Sequence, residues 1–237
     1  MPNDALRTIA AALAAGPLPL PRGVAFVHAS GATGLDSLAA LGGRHALGSF
    51  HPLQSFPEPR PPDSLRGIVV GVDATTPVLL GRLERLARAV GATPKRVLDA
   101  DRVTYHTAAV LASNYLAALV AEAVHLLAGI GWSEKQALAA LVPLAEGTLA
   151  NVRKRGAVGA LTGPVRRGDV PTVRRHLAAL DGLAGRSGKA RGGDLYRMLG
   201  LLTLGIAEQA GLDPAAAGRM RRALTQKAAA TQRRRRA

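Results

Sequence analysis

The pairs Tyr105-His106 and Ser113-Asn114 form the strongest candidate for a catalytic group in this sequence. If a helix begins near residue 101, Ser113 and Asn114 fall on the same face as His106. Polar groups buried on an apolar helix cost about 1 to 3 kcal/mol each when they lack partners, so their presence needs a reason. His106 could donate a proton to a carbonyl or imine, while Asn114 or Ser113 orients the substrate or the imidazole. A histidine that packs within the helix and is satisfied by a backbone carbonyl is the alternative.

A second candidate is the loop segment His51-Pro52-Leu53-Gln54. His51 and Gln54 offer a hydrogen-bond donor and an acceptor on either side of a proline that restricts the backbone. This arrangement suits recognition of a substrate. The alternative is a structural loop whose polar side chains satisfy the local backbone.

A short apolar strand leads into His28-Ala29-Ser30-Gly31 and the glycine turn 31–34. The turn is too short for a P-loop, has no Lys-Ser/Thr pair, and lacks the third glycine of a dinucleotide fingerprint. His28, Ser30 and Gly31 are candidates for the nicotinamide side of a ligand cleft, because ligands of open α/β sheets bind at the carboxyl ends of strands. An ordinary tight turn is the alternative.

Composition restricts the class of protein. The 237 residues are 48% hydrophobic but only 3% aromatic, which favours closely packed helices built from Ala, Leu and Val. The absence of cysteine excludes disulfides, thiolate metal sites and a Cys nucleophile, and we expect no metal site. The formal net charge is +15, and the densest basic cluster is Arg233–Arg236. No aromatic residues accompany it, so specific nucleic-acid binding is not expected.

No signal peptide pattern opens the chain, which favours cytoplasmic residence. The apolar segment 107–130 has the length of a membrane span, but Asn114, Glu122 and His125 interrupt it. We therefore expect a buried helix of a soluble protein and no membrane partner.

Strand and helix patterns alternate over the first hundred residues and predict parallel βαβ units. From Asp101 onward the pattern is helical, with a capping box at Ser133 and Gln136 and helix starts at Asp169 and Asp213-Pro214. The predicted organisation is therefore an α/β domain over 1–100, a helical domain over 101–230 and a basic tail over 231–237.

Four motifs occur in an order that resembles one family: His28–Gly31, Gly48–Phe56, Tyr105–Tyr115 and Ala160–Asp169. The chain resembles the Rossmann-like proteins that carry the DUF2520 helical domain, relatives of 6-phosphogluconate dehydrogenase, ketopantoate reductase and pyrroline-5-carboxylate reductase. The resemblance implies a fold class of α/β plus all-α, in which a partial Rossmann-like sheet precedes a helical domain. It also implies that Thr162 and Arg166 lie on a substrate-facing loop, where Arg166 could bind a carboxylate.

By the same resemblance, the activity is NAD(P)-dependent reduction of a small keto or imino compound. Apolar residues on more than one face of the segments 107–130 and 195–210 predict a homodimer assembled through the helical domain. Two features depart from the family pattern. The related reductases carry a Lys on the helix that here holds His106, and no G-x-G-x-x-G follows a strand near the start. The segment 1–4 resembles the end of the family's fourth Rossmann strand, so we expect the front of the Rossmann domain to be missing and NAD(P) binding to be weak. A non-catalytic dimeric helical module is the alternative.

Overall fold

The computed structural model describes residues 5–16, 21, 23–187 and 191–226. The predictions made for segment 1–4 and for the tail 231–237, including Arg233–Arg236, lie outside these residues. The chain divides into two compact units, Met1–Ala117 and Ala118–Ala237, and each is described by itself.

The first unit contains a four-stranded sheet in the order β1-β2-β3-β4. Its strands are β1 (Ala25–His28), β2 (Ala46–Pro52), β3 (Val69–Ala74) and β4 (Thr93–Arg96). The expected alternation of strands and helices is confirmed, but the expectation of parallel units throughout is wrong, because β2 and β3 are antiparallel. The connection from β2 to β3 holds only a short 3-10 helix, Pro62–Leu65, whereas a parallel crossover needs a longer element.

Two helices cover the strands of this unit. Helix α2 (Pro77–Ala89) begins at Thr76, whose hydroxyl accepts a hydrogen bond from the Leu79 N–H, and buries Leu79, Leu83 and Ala87 against β3. Helix α1 (Ala5–Ala15) and the 3-10 helix Leu35–Leu41 form a smaller core with Leu47 of β2. Gly91 has φ of 77°, as expected for the left-handed residue that follows a helix.

Helix α3 (Arg102–Ala112) belongs to the first unit, whose boundary falls at Ala117. The sequence places the change from mixed to helical structure near residue 100. The two positions differ because α3 contacts the strands through Arg102 and Tyr105, as described below. The predicted domain boundary near residue 100 stays a prediction.

The second unit is helical over its described residues. It contains most of α4 (Asn114–Ala128) and then α5 (Glu134–Ala160), α6 (Gly163–Arg166), α7 (Val170–Ser187), α8 (Arg191–Gln209) and α9 (Pro214–Thr225). The predicted starts are confirmed: Ser133 and Gln136 form a capping box, and the carboxylates of Asp169 and Asp213 accept bonds from the N–H groups of Thr172 and Ala216. The core is made by α6, α7, α8 and α9 around Leu204 and Met220.

The long apolar segment does not form the buried helix that the sequence predicts. It is broken at Ser113 into α3 and α4, and no residue of α4 is buried within this chain. In the described residues, one helical stretch, Asp99–Ala128, is long and apolar enough to cross a membrane by length and composition alone. A single stretch of this kind is weak evidence for a membrane span.

Candidate active site in the first unit

Arg102 anchors the first turn of α3 to the sheet. Its side chain is only 1% exposed, its Nε donates to Oδ1 of Asp99 at 3.0 Å, and its Nη2 donates to the hydroxyl of Ser49 in β2. A buried guanidinium needs such partners, because an unpaired charge in an apolar environment is strongly unfavourable. This anchor fixes where the next turn of α3, with Tyr105 and His106, lies over the strands.

Tyr105 contacts the carboxyl-terminal part of β2. Its hydroxyl lies 3.1 Å from Nδ1 of His51, and the two rings meet edge to face with centroids 5.6 Å apart. His51 pairs with Gly71 of β3, and a side chain at position 71 would come within 3.0 Å of the Tyr105 hydroxyl. Gly71 therefore leaves the space that the hydroxyl occupies.

Gly31 brings two imidazoles together. A Cβ at position 31 would lie 2.7 Å from Nε2 of His51 and 2.9 Å from Nδ1 of His106. The rings of His51 and His106 are 6.3 Å apart between centroids. The two nitrogens therefore both lie against Gly31. Nδ1 of His106 is buried and has no hydrogen-bond partner.

His28 ends β1, at the same edge of the parallel β1–β2 pair as His51. Its Nδ1 accepts a hydrogen bond from the Ser30 N–H at 3.2 Å, so in the neutral ring the proton is on Nε2. Nε2 is buried and makes no well-formed hydrogen bond. The Gly34 carbonyl lies near enough to raise the pKa of His28, but burial and the charge of Arg102 dominate and lower it.

Electrostatics keep His51 neutral and Tyr105 protonated. Burial lowers the pKa of His51, and His106 and Arg102 lower it further. Burial raises the pKa of Tyr105 above its ordinary value. Desolvation disfavours the charged form of each group, which is the cause in both residues. The cluster therefore offers neutral donors and acceptors around one buried cation.

The turn between β1 and the 3-10 helix does not fit a pyrophosphate. The Thr33 N–H donates to the hydroxyl of Ser30 at 3.1 Å, and the Leu35 N–H donates to the Asp99 carboxylate at 3.0 Å. A phosphate bound here would need free N–H groups, and it would meet the negative charge of Asp99. The predicted roles of His28, Ser30 and Gly31 in cofactor binding stay predictions.

Three other predicted residues are not brought into the cluster. Ser113 and Asn114 are exposed, and they follow His106 by about 10 Å or more of helix rise. The argument from the cost of burial therefore does not apply to them, although their catalytic role stays a prediction. Gln54 is exposed and its amide oxygen accepts the N–H of Ser55 at 2.9 Å, as in the structural-loop alternative.

Thr162 and Arg166 lie together in the second unit. They line a cleft of about 560 Å³ whose other lining residues are Leu161, Gly163, Arg167, Gly211, Leu212 and Asp213. Nη2 of Arg166 donates to the Ala210 carbonyl at 2.9 Å, near the end of α8. The backbone therefore already accepts a hydrogen bond from one of the guanidinium N–H groups of Arg166. The substrate-binding role of the two residues stays a prediction.

Sequence reasoning missed Arg102, Asp99 and Ser49 as site residues. A signal was present: Asp99 and Arg102 are three residues apart at a helix start, and Ser49 is a hydroxyl residue in the mostly apolar strand β2. It was weak because Ser49 and Arg102 are separated by 53 positions. Within the described chain, no group of three or more His, Asp or Glu residues is arranged to hold a metal ion.

The sheet and the helical unit together define an α/β protein of the Rossmann-like class with an added helical region. A family model described as "Domain of unknown function (DUF2520)" matches residues 68–203. This match covers more than half of the chain, and the protein belongs to the DUF2520 family.

Solved structures agree with this fold. The crystal structure of protein TM1727 from Thermotoga maritima is similar with a TM-score of 0.68 and 26% identity, over 88% of this chain and 76% of that one. BF3122 from Bacteroides fragilis, described as a candidate NADP oxidoreductase, is similar with a TM-score of 0.60 and 23% identity, over 78% of this chain and 65% of its own. No curated protein matches.

Proposed function

We propose that this chain supplies the substrate-side chemistry of an NAD(P)-dependent reduction of a small keto or imino compound in the cytoplasm. The observation that carries the proposal is the meeting of His51 and His106 at Gly31, with a buried, unpartnered nitrogen on His106. An unpartnered buried nitrogen costs free energy, and such costs concentrate where a ligand completes the bond.

In this proposal His106 is the proton donor and His51 binds the substrate. Reduction of a carbonyl or imine requires a proton at the heteroatom, and histidine is the usual side chain for that step. Arg102 acts through α3, because its bonds to Asp99 and Ser49 hold the helix in place. The description of BF3122 as a candidate NADP oxidoreductase supports the reaction class. The pyrophosphate is assigned to no residues of this chain, since the turn at 31–35 does not suit it. His28, Ser30 and Gly31 stay candidates for the nicotinamide side.

The test is turnover of a panel of small 2-oxo and imino acids at millimolar NADH or NADPH, followed by loss of nicotinamide absorbance. His106→Ala is expected to lower kcat about 100-fold to 10,000-fold with an unchanged melting temperature. His51→Ala is expected to raise KM and spare kcat. Asn114→Ala tests the predicted catalytic role of Asn114: that role lowers kcat more than it lowers stability, whereas an exposed side chain without it leaves kcat unchanged. A lowered melting temperature with normal turnover in His106→Ala would contradict the proposal.

The second candidate function is a non-catalytic dimeric module. Helix α5 supports it, because Ala137 is the one residue of α5 that is buried within this chain. Large apolar side chains on this helix are exposed, among them Leu144 and Leu149. Exposed apolar surface of this extent is typical of a protein interface. Homodimerisation is part of both candidate functions, so only the turnover assay separates them.

A further inference from the structure

The hydrogen bond between Tyr105 and His51 determines what His51 presents to a ligand. Nδ1 of His51 bonds to the Tyr105 hydroxyl at 3.1 Å, and this is the one hydrogen bond that the described chain gives the His51 side chain. Nε2, the nitrogen beside Gly31, is left without a protein partner. A neutral imidazole has one donor and one acceptor nitrogen, so the direction of the Tyr105 bond sets the character of Nε2.

The chemistry of the pair favours donation by Tyr105. An imidazole nitrogen is a better acceptor than a phenol oxygen, whose lone pairs are partly delocalised into the ring, and a phenol is a good donor. Burial keeps the pKa of Tyr105 high and that of His51 low, so the phenol keeps its proton and the imidazole is neutral near pH 7. The bond then runs from the Tyr105 hydroxyl to Nδ1.

We propose that Tyr105 is a positioning residue that holds His51 as its Nε2–H tautomer, so that the site binds substrate through an acceptor oxygen, in a carbonyl or carboxylate, and not through a protonated imine. This rests on the proposed function and specifies the ligand atom at His51 as an oxygen that accepts a hydrogen bond. A protonated imine carries an N–H donor, and it would meet a second donor at Nε2.

Two neighbours of His51, His28 and Arg102, also favour a ligand atom that accepts hydrogen bonds. The Ser30 N–H donates to Nδ1 of His28, so His28 also carries its proton on Nε2. The guanidinium of Arg102 is buried close enough to lower the pKa of both histidines. The Asp99 carboxylate is already bonded to Arg102 and to the Leu35 N–H. Donor groups and a cation together favour an electron-rich ligand atom.

The tautomer can be measured without cofactor or turnover, by long-range ¹H–¹⁵N correlation spectra of the whole chain labelled on histidine nitrogens. His51 is expected to show a protonated Nε2 and an unprotonated Nδ1. A spectrum with the proton on Nδ1 would overturn the proposal. Because this experiment needs no activity, its failure is distinct from failure of the proposed oxidoreductase function.

Tyr105→Phe removes only the hydroxyl, and it is expected to leave His51 as a mixture of tautomers. Tyr115→Phe is the matched control, since Tyr115 is exposed, and it is expected to leave the His51 spectrum unchanged. Gly71→Ala is a second route to the same change, because its methyl group would crowd the Tyr105 hydroxyl at 3.0 Å. An unchanged His51 tautomer in folded Tyr105→Phe would overturn the positioning role.

Ligand polarity is tested with two planar probes of the same shape, acetate and acetamidinium. Acetate is expected to shift the Nε2 and Hε2 signals of His51 in the wild-type chain, and the shift should shrink in Tyr105→Phe. Acetamidinium offers only N–H donors, and it is expected to leave these signals in place. Any other pattern, including no response to acetate, would overturn the assignment of the ligand class.

Discussion

His28 and His51 couple the stability of the fold to pH. Both have pKa values below the ordinary value of 6.5, because burial and the charge of Arg102 disfavour their protonated forms. The unfolded chain therefore binds more protons than the folded chain between the lowered pKa values and 6.5. Above pH 6.5 both histidines are neutral in the folded and the unfolded chain, so they do not lower stability. As the pH falls below 6.5, protonation favours the unfolded chain and the free energy of unfolding decreases.

We expect the free energy of unfolding to decrease between pH 7 and pH 5.5, measured by urea denaturation at several pH values. His51→Gln keeps a polar side chain that does not titrate, and it is expected to flatten this dependence. His45→Gln is the control, because the His45 ring bonds to the Val24 carbonyl near the surface. An equal slope in wild type and His51→Gln would show that His51 is not responsible.

At the scale of elements, α3 depends on a single buried side chain for its attachment to the strands. Arg102 is the one residue of α3 that is buried, and its partners Asp99 and Ser49 come from the 3-10 helix Asp99–Asp101 and from β2. The apolar residues of α3 contribute little, since Val103 is 70% exposed and Leu111 is 57% exposed. The position of Tyr105 and His106 thus follows from a polar anchor.

Arg102→Met is expected to destabilise the protein by about 1 to 3 kcal/mol, because the buried hydroxyl of Ser49 loses its partner. Thermal or chemical denaturation measures the loss. Arg88→Met is the matched control, as Arg88 forms an exposed ion pair with Glu84 one helical turn away, and its loss should cost less than about 0.5 kcal/mol. Similar losses in the two variants would contradict the anchoring role.

At the scale of the whole molecule, exposed apolar surface predicts self-association. Leu144 and Leu149 of α5 are 67% and 52% exposed, and no residue of α4 is buried. Burial of apolar surface yields roughly 25 cal/mol per Å², which favours a second copy as the cover. We expect a homodimer in light scattering at micromolar concentration.

Leu144→Arg is expected to shift that dimer toward monomer, because it places a charge in the interface. Val78→Arg, at an equally exposed position of α2 in the first unit, is expected to leave the mass unchanged. A monomeric wild-type mass would refute the dimer.

Weak nicotinamide binding is the second expectation at this scale. The sequence has no G-x-G-x-x-G after a strand, and the Asp99 carboxylate occupies the start of the 3-10 helix Leu35–Leu41. The turn at 31–35 therefore does not offer the free N–H groups that hold a pyrophosphate. Fluorescence titration with NADH and NADPH should show no affinity in the low-micromolar range. Tight binding of either nucleotide would show that other residues supply this site.

Elements that depend only on neighbouring residues could be predicted from the amino-acid sequence. The strands, the capping box at Ser133 and Gln136, the helix start at Asp213-Pro214 and the left-handed Gly91 all follow from local hydrogen bonds and backbone preferences. The order of the four motifs also placed the chain in its family, which the match over residues 68–203 confirms.

The tertiary structure decided which polar residues meet. Tyr105 and His51 are separated by 54 positions, and Arg102 and Ser49 by 53, so no local pattern joins them. It also decided that β2 and β3 are antiparallel and that Ser113 and Asn114 are exposed. The physical reason is the same in each case: helix and turn preferences are set within a few residues, whereas contacts across the sheet depend on the path of the whole chain.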